Sequence, residues 1–148
     1  MINKTLLRQQ LLELLNTQRQ IAFDAASSAH DLATHEQSKA ETQYDTVGLE
    51  AAYLAHGQSQ RVADCDATIA RIKALVPREF EEDDEIAVGA VITLDDDSMY
   101  WLLPDCGGTK LNEGKLVVVT PHSPLGEQLK GEGIDSCLKD GRTIVHVE

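Results

Sequence analysis

Residues 7–32 read LRQQLLELLNTQRQIAFDAASSAHDL, and this stretch decides the fold of the N-terminal half. Positions that step alternately by four and three residues carry apolar side chains at six of eight places. These positions are Leu7, Leu11, Leu14, Gln18, Ile21, Ala25, Ser28 and Leu32. Such a seam is typical of a helix that packs along a second helix. The stretch therefore predicts one long helix with a helical partner.

A second seam with the same spacing lies between residues 51 and 76, and seven of its eight positions are apolar when the cysteine is counted as a small hydrophobe. Its positions are Ala51, Ala55, Gln58, Val62, Cys65, Ile69, Ile72 and Val76. Between the seams, residues 44–48 break the pattern and offer Asp45 or Thr46 as an N-cap. The simplest arrangement is an antiparallel helical hairpin, a coiled coil within residues 1–77 of a monomer. The alternative is a dimer in which one continuous long helix pairs with a second copy.

Length, charge and composition narrow the classes of function. The chain has 148 residues, which suits one domain or two small units, and its formal net charge is −12. This charge argues against independent binding to a nucleic-acid backbone and favours a protein or a metal as partner. Three scattered cysteines, no basic leader and no run of about 18 apolar residues predict a reduced, cytoplasmic protein outside the membrane.

The second half, residues 78–148, differs from the first in charge and in period. It holds 6 basic and 16 acidic side chains, against 7 and 9 in residues 1–77. After an acidic linker at 79–85, five segments have strand character. Ser123-Pro124 predicts the start of a short helix that Gly131 ends. The strand segments are residues 86–94, 99–103, 115–120 and the pair 136–138 with 143–147, which is joined by Asp140-Gly141. The fold class is therefore α+β, with a helical hairpin followed by a small antiparallel sheet that carries one helix.

Residues 114–131, GKLVVVTPHSPLGEQLKG, resemble the most recognisable C-terminal stretch of the Gre (GreA/GreB) family of bacterial transcript-cleavage elongation factors. Residues 89–94, GAVITL, are similar to the first strand of that family's C-terminal domain, whose fold is FKBP-like. The resemblance covers residues 85–148 in sequence and 1–77 in architecture. It implies that residues 78–148 dock on the rim of the secondary channel of RNA polymerase. The hairpin would then enter the channel and present acidic residues at its tip.

The tip departs from the family pattern. The family reads Asp-x-x-Glu-Asn-Ala-Glu-Tyr, whereas residues 38–53 here read SKAETQYDTVGLEAAY. Superposing Tyr44 on the family tyrosine brings Glu41 near the acidic pair, and superposing Tyr53 instead offers Asp45 and Glu50. The resemblance implies that these carboxylates assist catalysis by holding a Mg²⁺ shared with the polymerase, with no metal bound by the chain alone. Without the resemblance, Asp45 would be a helix cap, and Glu41 and Glu50 would be solvated helix surface.

The resemblance also implies a docking surface at Ser123, Pro124 and Leu125, although a serine before a proline is the ordinary start of a helix. The leading function is that of an accessory factor, not itself an enzyme, that modulates elongation and stimulates cleavage of backtracked RNA by the polymerase. The alternative is a regulator that occupies the channel without stimulating cleavage. A prolyl isomerase is disfavoured, because Phe80, Tyr100 and Trp101 are the only aromatic residues in the second half. The histidines and cysteines show no spacing of a zinc site.

Overall fold

The computed structural model describes residues 2–39 and 47–148, and these residues form two compact units. One unit is Leu12–Ala74, and the other joins Met1–Leu11 with Leu75–Glu148. The first turns of the N-terminal helix therefore pack with the C-terminal part of the chain. A domain boundary between residues 77 and 78 stays a prediction.

Two long helices make up most of the N-terminal half: α1 spans Lys4–Lys39 and α2 spans Val47–Ala74. The Arg19 guanidinium donates a hydrogen bond from Nε to Asp66 Oδ1 at 2.5 Å. Nearer the start of α1, Arg8 Nη1 donates to the carbonyl oxygen of Leu75 at 2.7 Å. Higher residue numbers in α1 thus lie beside lower numbers in the second segment, as in an antiparallel pair. The predicted helical hairpin is confirmed.

The buried face of α1 differs from the predicted seam after its second position. Its buried apolar residues are Leu7, Leu11, Leu15, Ala22 and Ala29. From Leu15 onward, the buried residues are spaced by seven, as in a heptad seam, but each lies one residue after the predicted positions 14, 21 and 28. The prediction was therefore wrong for the later positions of the seam, which include an exposed leucine and isoleucine.

A five-stranded sheet forms the centre of the second unit, with strand order β3-β4-β2-β1-β5. The strands are β1 (Val91–Leu94), β2 (Met99–Leu102), β3 (Lys110–Leu111), β4 (Leu116–Val119) and β5 (Ile144–Val147), and a short helix, α3, spans Pro124–Leu129. The apolar core beneath the sheet includes Ile92, Leu102, Leu129 and Ile144. The predicted α+β fold class, a helical hairpin followed by a sheet with one short helix, is confirmed.

The sheet is mixed rather than antiparallel throughout. Strand β2 pairs with β4 in parallel, with Tyr100 opposite Val117, whereas the other neighbouring strands are antiparallel. Parallel neighbours need a connection of a dozen or more residues. The 13 residues 103–115 supply that connection, and β3 lies within it at the sheet edge. The prediction of a wholly antiparallel sheet was wrong because the path of this connection sets the strand direction.

Two predicted strand segments are shorter than expected. The segment 86–94 is a strand only from Val91, because Ala90 N donates to Ala87 O at 3.0 Å and closes a turn in which Gly89 has φ +102°. The segments 136–138 and 143–147 do pair, through a bridge between Cys137 and Thr143 and a hydrogen bond from Ile144 N to Ser136 O at 2.9 Å, but only Ile144–Val147 forms a strand, β5, which also pairs with β1. Among the described residues, no helix is long and apolar enough to cross a membrane.

Candidate functional site

The start of α3 is built by Ser123, the first of the three predicted docking residues. Its Oγ donates to the carbonyl oxygen of Thr120 at 2.7 Å and accepts from the backbone N–H of Gly126 at 3.0 Å. Pro124 follows at the first position of the helix, where a missing N–H costs nothing. Ser123 is therefore an N-cap that also fastens the helix to the end of β4.

Two glycines of the same stretch are required by the backbone. A Cβ at Gly126 would lie 1.8 Å from the carbonyl oxygen of Thr120, so the helix approaches this loop too closely for any side chain. Gly131 has φ +83°, which favours glycine, and its N–H donates to Ile86 O at 2.8 Å. The close approach at residue 126 and the positive φ at residue 131 therefore explain why the stretch 114–131 has glycine at these two positions.

The predicted docking residues differ in exposure. Pro124 is exposed, Ser123 is half-buried, and the half-buried Leu125 packs against the apolar core of the sheet. A polar substitution at Leu125 would therefore disturb the core as well as any surface. Pro124 and its neighbours His122 and Glu127 are exposed, so a partner can reach them.

Of the predicted tip carboxylates, the structure describes Glu50. It lies in the first turn of α2 and is exposed, a position where a carboxylate is favoured by the positive end of the helix dipole. Glu41 and Asp45 lie outside the described residues. The described part of the chain holds no group of three or more His, Cys, Asp or Glu residues placed to hold a metal ion. The three carboxylates and their shared Mg²⁺ stay predictions.

A buried lysine at the beginning of α1 was missed by the sequence analysis. Lys4 Nζ donates to the carbonyl oxygens of Arg78 at 2.5 Å and Glu148 at 2.7 Å, and it lies 4.7 Å from the centre of the Phe80 ring. Burial lowers the pKa of Lys4 to about 8, partly offset by the negative charges of Glu148 and Glu79. A lone lysine before the first seam carries no sequence signal of such a role. The ammonium group joins the start of α1 to the segment around Phe80 and to the end of the chain.

An ionic cluster at one end of the sheet was also missed. Arg142 donates to Asp140 at 2.8 Å, to Asp96 at 3.4 Å and to the Tyr100 hydroxyl at 3.1 Å. The hydrogen bond from Arg142 lowers the pKa of Asp140, and a hydrogen bond from Ser98 lowers that of Asp96. The cluster joins the turns at residues 95–98 and 139–142, so we assign it a structural role.

No protein-family model and no curated protein matches the sequence. Solved structures match the chain. A structure of the transcription factor Gfh1 is 20% identical, covers 93% of this chain and 92% of that chain, and superposes with a TM-score of 0.36. GreA factor homolog 1 (Gfh1) of Thermus thermophilus is 19% identical, with 93% and 94% covered and a TM-score of 0.30.

The Gfh1 structure of Thermus aquaticus is 20% identical to this chain, with 92% of each chain covered and a TM-score of 0.34. Along 92–93% of its length, the chain is similar to structures of GreA factor homolog 1.

Proposed function

We propose that this chain is a Gre-like transcription elongation factor that binds RNA polymerase and modulates elongation from the secondary channel. The observation that supports it is the order of the two parts along the chain. A two-helix hairpin precedes a sheet unit in which the family-like stretch 114–131 forms β4, a capped turn and α3.

The hairpin has the dimensions that this function needs. At 1.5 Å per residue, the 36 residues of α1 make a helix about 54 Å long, and the 28 residues of α2 make one of about 42 Å. Helices of this length carry side chains at their ends tens of ångströms from where they begin. They can therefore bring a few side chains to an active centre at the bottom of a channel.

The proposed chemistry belongs to the polymerase, with the factor as an accessory. Glu50, together with Glu41 and Asp45, would contribute oxygen ligands to a Mg²⁺ that the polymerase also binds. Two metal ions can stabilise both the attacking and the leaving oxygen of a phosphodiester. Mg²⁺ keeps several waters and needs only one or two protein carboxylates, so a tip with few ligands is sufficient. Glu50 is exposed in the first turn of α2, where a partner can reach its carboxylate.

Docking would be the task of the C-terminal unit. Residues 78–148 carry 16 acidic and 6 basic side chains, so the surface on the polymerase should be basic or neutral. Pro124 lies exposed at the start of a helix that Ser123 and Gly126 hold firmly in place. A rigid, exposed turn of this kind suits a docking contact, because little conformational freedom is lost on binding.

A second candidate is a regulator that binds in the channel without stimulating cleavage. The tip sequence favours it, because neither alignment of residues 38–53 restores the family motif residue for residue. Both candidates share the polymerase as partner and the channel as site. They differ only in what the tip carboxylates do.

Cleavage of backtracked RNA in stalled polymerase complexes separates the two candidates. The experiment compares three proteins over a Mg²⁺ titration, with polymerase binding measured in parallel. They are wild type, one triple variant that combines Glu41→Gln, Asp45→Asn and Glu50→Gln, and the control Asp64→Asn. Asp64 is a suitable control because it is an exposed carboxylate of α2 away from the tip.

For a cleavage factor, we expect the triple variant to lose at least tenfold in cleavage rate while its affinity and the control stay unchanged. Tight binding of wild type without stimulation selects the second candidate. Absence of binding to the polymerase contradicts both.

A further inference from the structure

Lys4 is the only charged side chain among the described residues that is buried, with 8% of its surface exposed. The proposed function gives it no task. Its Nζ donates to the carbonyl oxygens of Arg78 and Glu148, so the amine is held at a fixed place at the start of α1. A buried amine that is fixed in this way invites the question of what it can react with.

A cavity of about 620 Å³ opens beside Lys4. The first residues of α1, residues 77–81 and Glu148 form its walls, and all of them belong to the same compact unit. The volume lies within the range of roughly 300–1,000 Å³ that is typical of small-molecule pockets. A small molecule can therefore reach the Lys4 side chain while the unit stays folded.

The two hydrogen bonds of Lys4 suit a neutral amine as well as an ammonium group. An ammonium group has three N–H donors, whereas a neutral amine has two and a lone pair. Two carbonyl acceptors match two donors, so Lys4 can lose a proton without losing either hydrogen bond.

The pKa of Lys4 supports the presence of the neutral form. Burial lowers this pKa to about 8, the negative charges of Glu148 and Glu79 oppose the shift, and the positive charge of Arg78 adds to it. About half of Lys4 is then neutral at pH 8, against about 0.4% of an ordinary lysine with a pKa of about 10.4. A neutral lysine amine is a nucleophile.

The charges around the cavity select the class of reagent. Three carboxylates, those of Glu79, Glu81 and Glu148, line it together with one guanidinium group, that of Arg78. These surroundings disfavour an anionic reagent, and they favour a product that keeps the positive charge of Lys4. A neutral aldehyde meets both conditions, because a lysine amine forms a Schiff base with it that can be protonated.

We propose that Lys4 is a modification site at which small neutral aldehydes condense with the side-chain amine. The Nζ lone pair forms a bond to the aldehyde carbon. The two hydrogens of the neutral amine and the aldehyde oxygen then leave as one water, and a C=N bond remains. Protonation by solvent restores the positive charge, but the imine has a single N–H, so one of the two carbonyls loses its donor. The modification therefore weakens the contacts that hold the start of α1. It does not depend on the proposed function.

Reductive labelling of the full wild-type chain with glycolaldehyde and cyanoborohydride tests the proposal, with mass spectrometry of each lysine at low extents of labelling. At pH 8 we expect Lys4 to be labelled at least about fivefold faster than the exposed Lys139. The ratio should fall towards pH 10, because solvated lysines lose their proton near that pH. In about 6 M urea the preference should vanish, since it depends on the folded unit. Equal labelling of the two lysines in the folded chain at pH 8, or the same preference in urea, overturns the proposal.

Glyoxylate tests the selectivity for neutral aldehydes, because it has two carbons like glycolaldehyde but carries a carboxylate. We expect the ratio of Lys4 to Lys139 labelling to be at least about threefold lower with glyoxylate. A variant that combines Glu79→Gln and Glu81→Gln should raise the glyoxylate ratio. It should change the glycolaldehyde ratio by no more than about twofold, because half of Lys4 is already neutral at pH 8. Circular dichroism checks that this variant remains folded. A glyoxylate ratio in wild type as high as that of glycolaldehyde would contradict the proposed class of reagent.

Discussion

The stretch 114–131 and helix α1 are both strongly patterned, but their patterns constrain the molecule in different ways. In the stretch 114–131, Ser123 caps a helix, Gly126 allows a close approach of backbone atoms, and Gly131 adopts a positive φ. In α1, by contrast, Leu14 and Leu15 are adjacent leucines, and either could have faced the partner helix. A pattern set by backbone geometry therefore identifies a fold reliably, whereas a pattern set by apolar spacing leaves the phase of the helix open.

The largest effect is expected at Gly126. Gly126→Ala places a Cβ 1.8 Å from the Thr120 carbonyl oxygen, so α3 or the loop before it must move. We expect a loss of about 3 kcal/mol or more in the free energy of unfolding, measured by denaturant titration. Gly133→Ala is the matched control, because a Cβ there meets no atom within 4 Å and its φ is not positive. Equal stability of the two variants would contradict the close approach.

A pair of adjacent leucines tests the phase of α1. Leu15 is buried and Leu14 is 41% exposed. Leu15→Ala should lower the free energy of unfolding by about 2–3 kcal/mol, and Leu14→Ala by less than about 1 kcal/mol. The reverse order would restore the heptad seam that the sequence analysis favoured. Thermal unfolding, followed by the loss of the helical circular dichroism signal, is sufficient to rank the stabilities of the two variants.

A smaller, pH-dependent effect is expected at Lys4. Because burial lowers its pKa to about 8 in the folded chain, the unfolded chain binds more protons between about pH 8 and 10.5. The Lys4 contribution to stability therefore rises with pH across this window, with a slope of at most about 1.4 kcal/mol per pH unit.

The comparison for Lys4 is with Lys4→Met, which keeps an apolar chain of similar length but cannot titrate. We expect the stability difference between wild type and this variant to grow in favour of wild type from pH 7.5 to pH 10. A constant difference would show that the Lys4 ammonium is as well solvated in the folded chain as in the unfolded one. Taking the difference between the two proteins cancels the contributions to stability of other groups that titrate in this pH range.

The sequence alone predicted the hairpin, the order of the elements and the capped helix α3, because these depend on local period and on turn residues. It missed features that depend on contacts between distant residues, among them the contacts of Arg142 with Asp96 and Tyr100. The direction of β2 relative to β4 is set by the path of residues 103–115, and the burial of Lys4 is set by Phe80 and Glu148. The sequence analysis also missed the phase of α1, which two neighbouring leucines left ambiguous.

The candidate site was predicted less completely than the fold. Two of the predicted docking residues, Ser123 and Leu125, have structural roles. The sequence analysis considered such a role for Ser123 but not for Leu125. The tip residues follow from resemblance to a family rather than from local physics, since an exposed carboxylate in the first turn of a helix, such as Glu50, is common in proteins of many functions.

The central claim is that the hairpin enters the secondary channel of RNA polymerase, and photo-cross-linking from position 50 tests it most directly. A photoreactive amino acid replaces Glu50 in the full chain, and a second protein carries it at the exposed Asp64 as a control. Each is bound to core polymerase, irradiated, and the cross-linked peptides are mapped. We predict cross-links from position 50 to polymerase segments beside the active centre, and from position 64 to segments nearer the channel entrance. Cross-links from position 50 only to the outer surface of the polymerase would contradict the account.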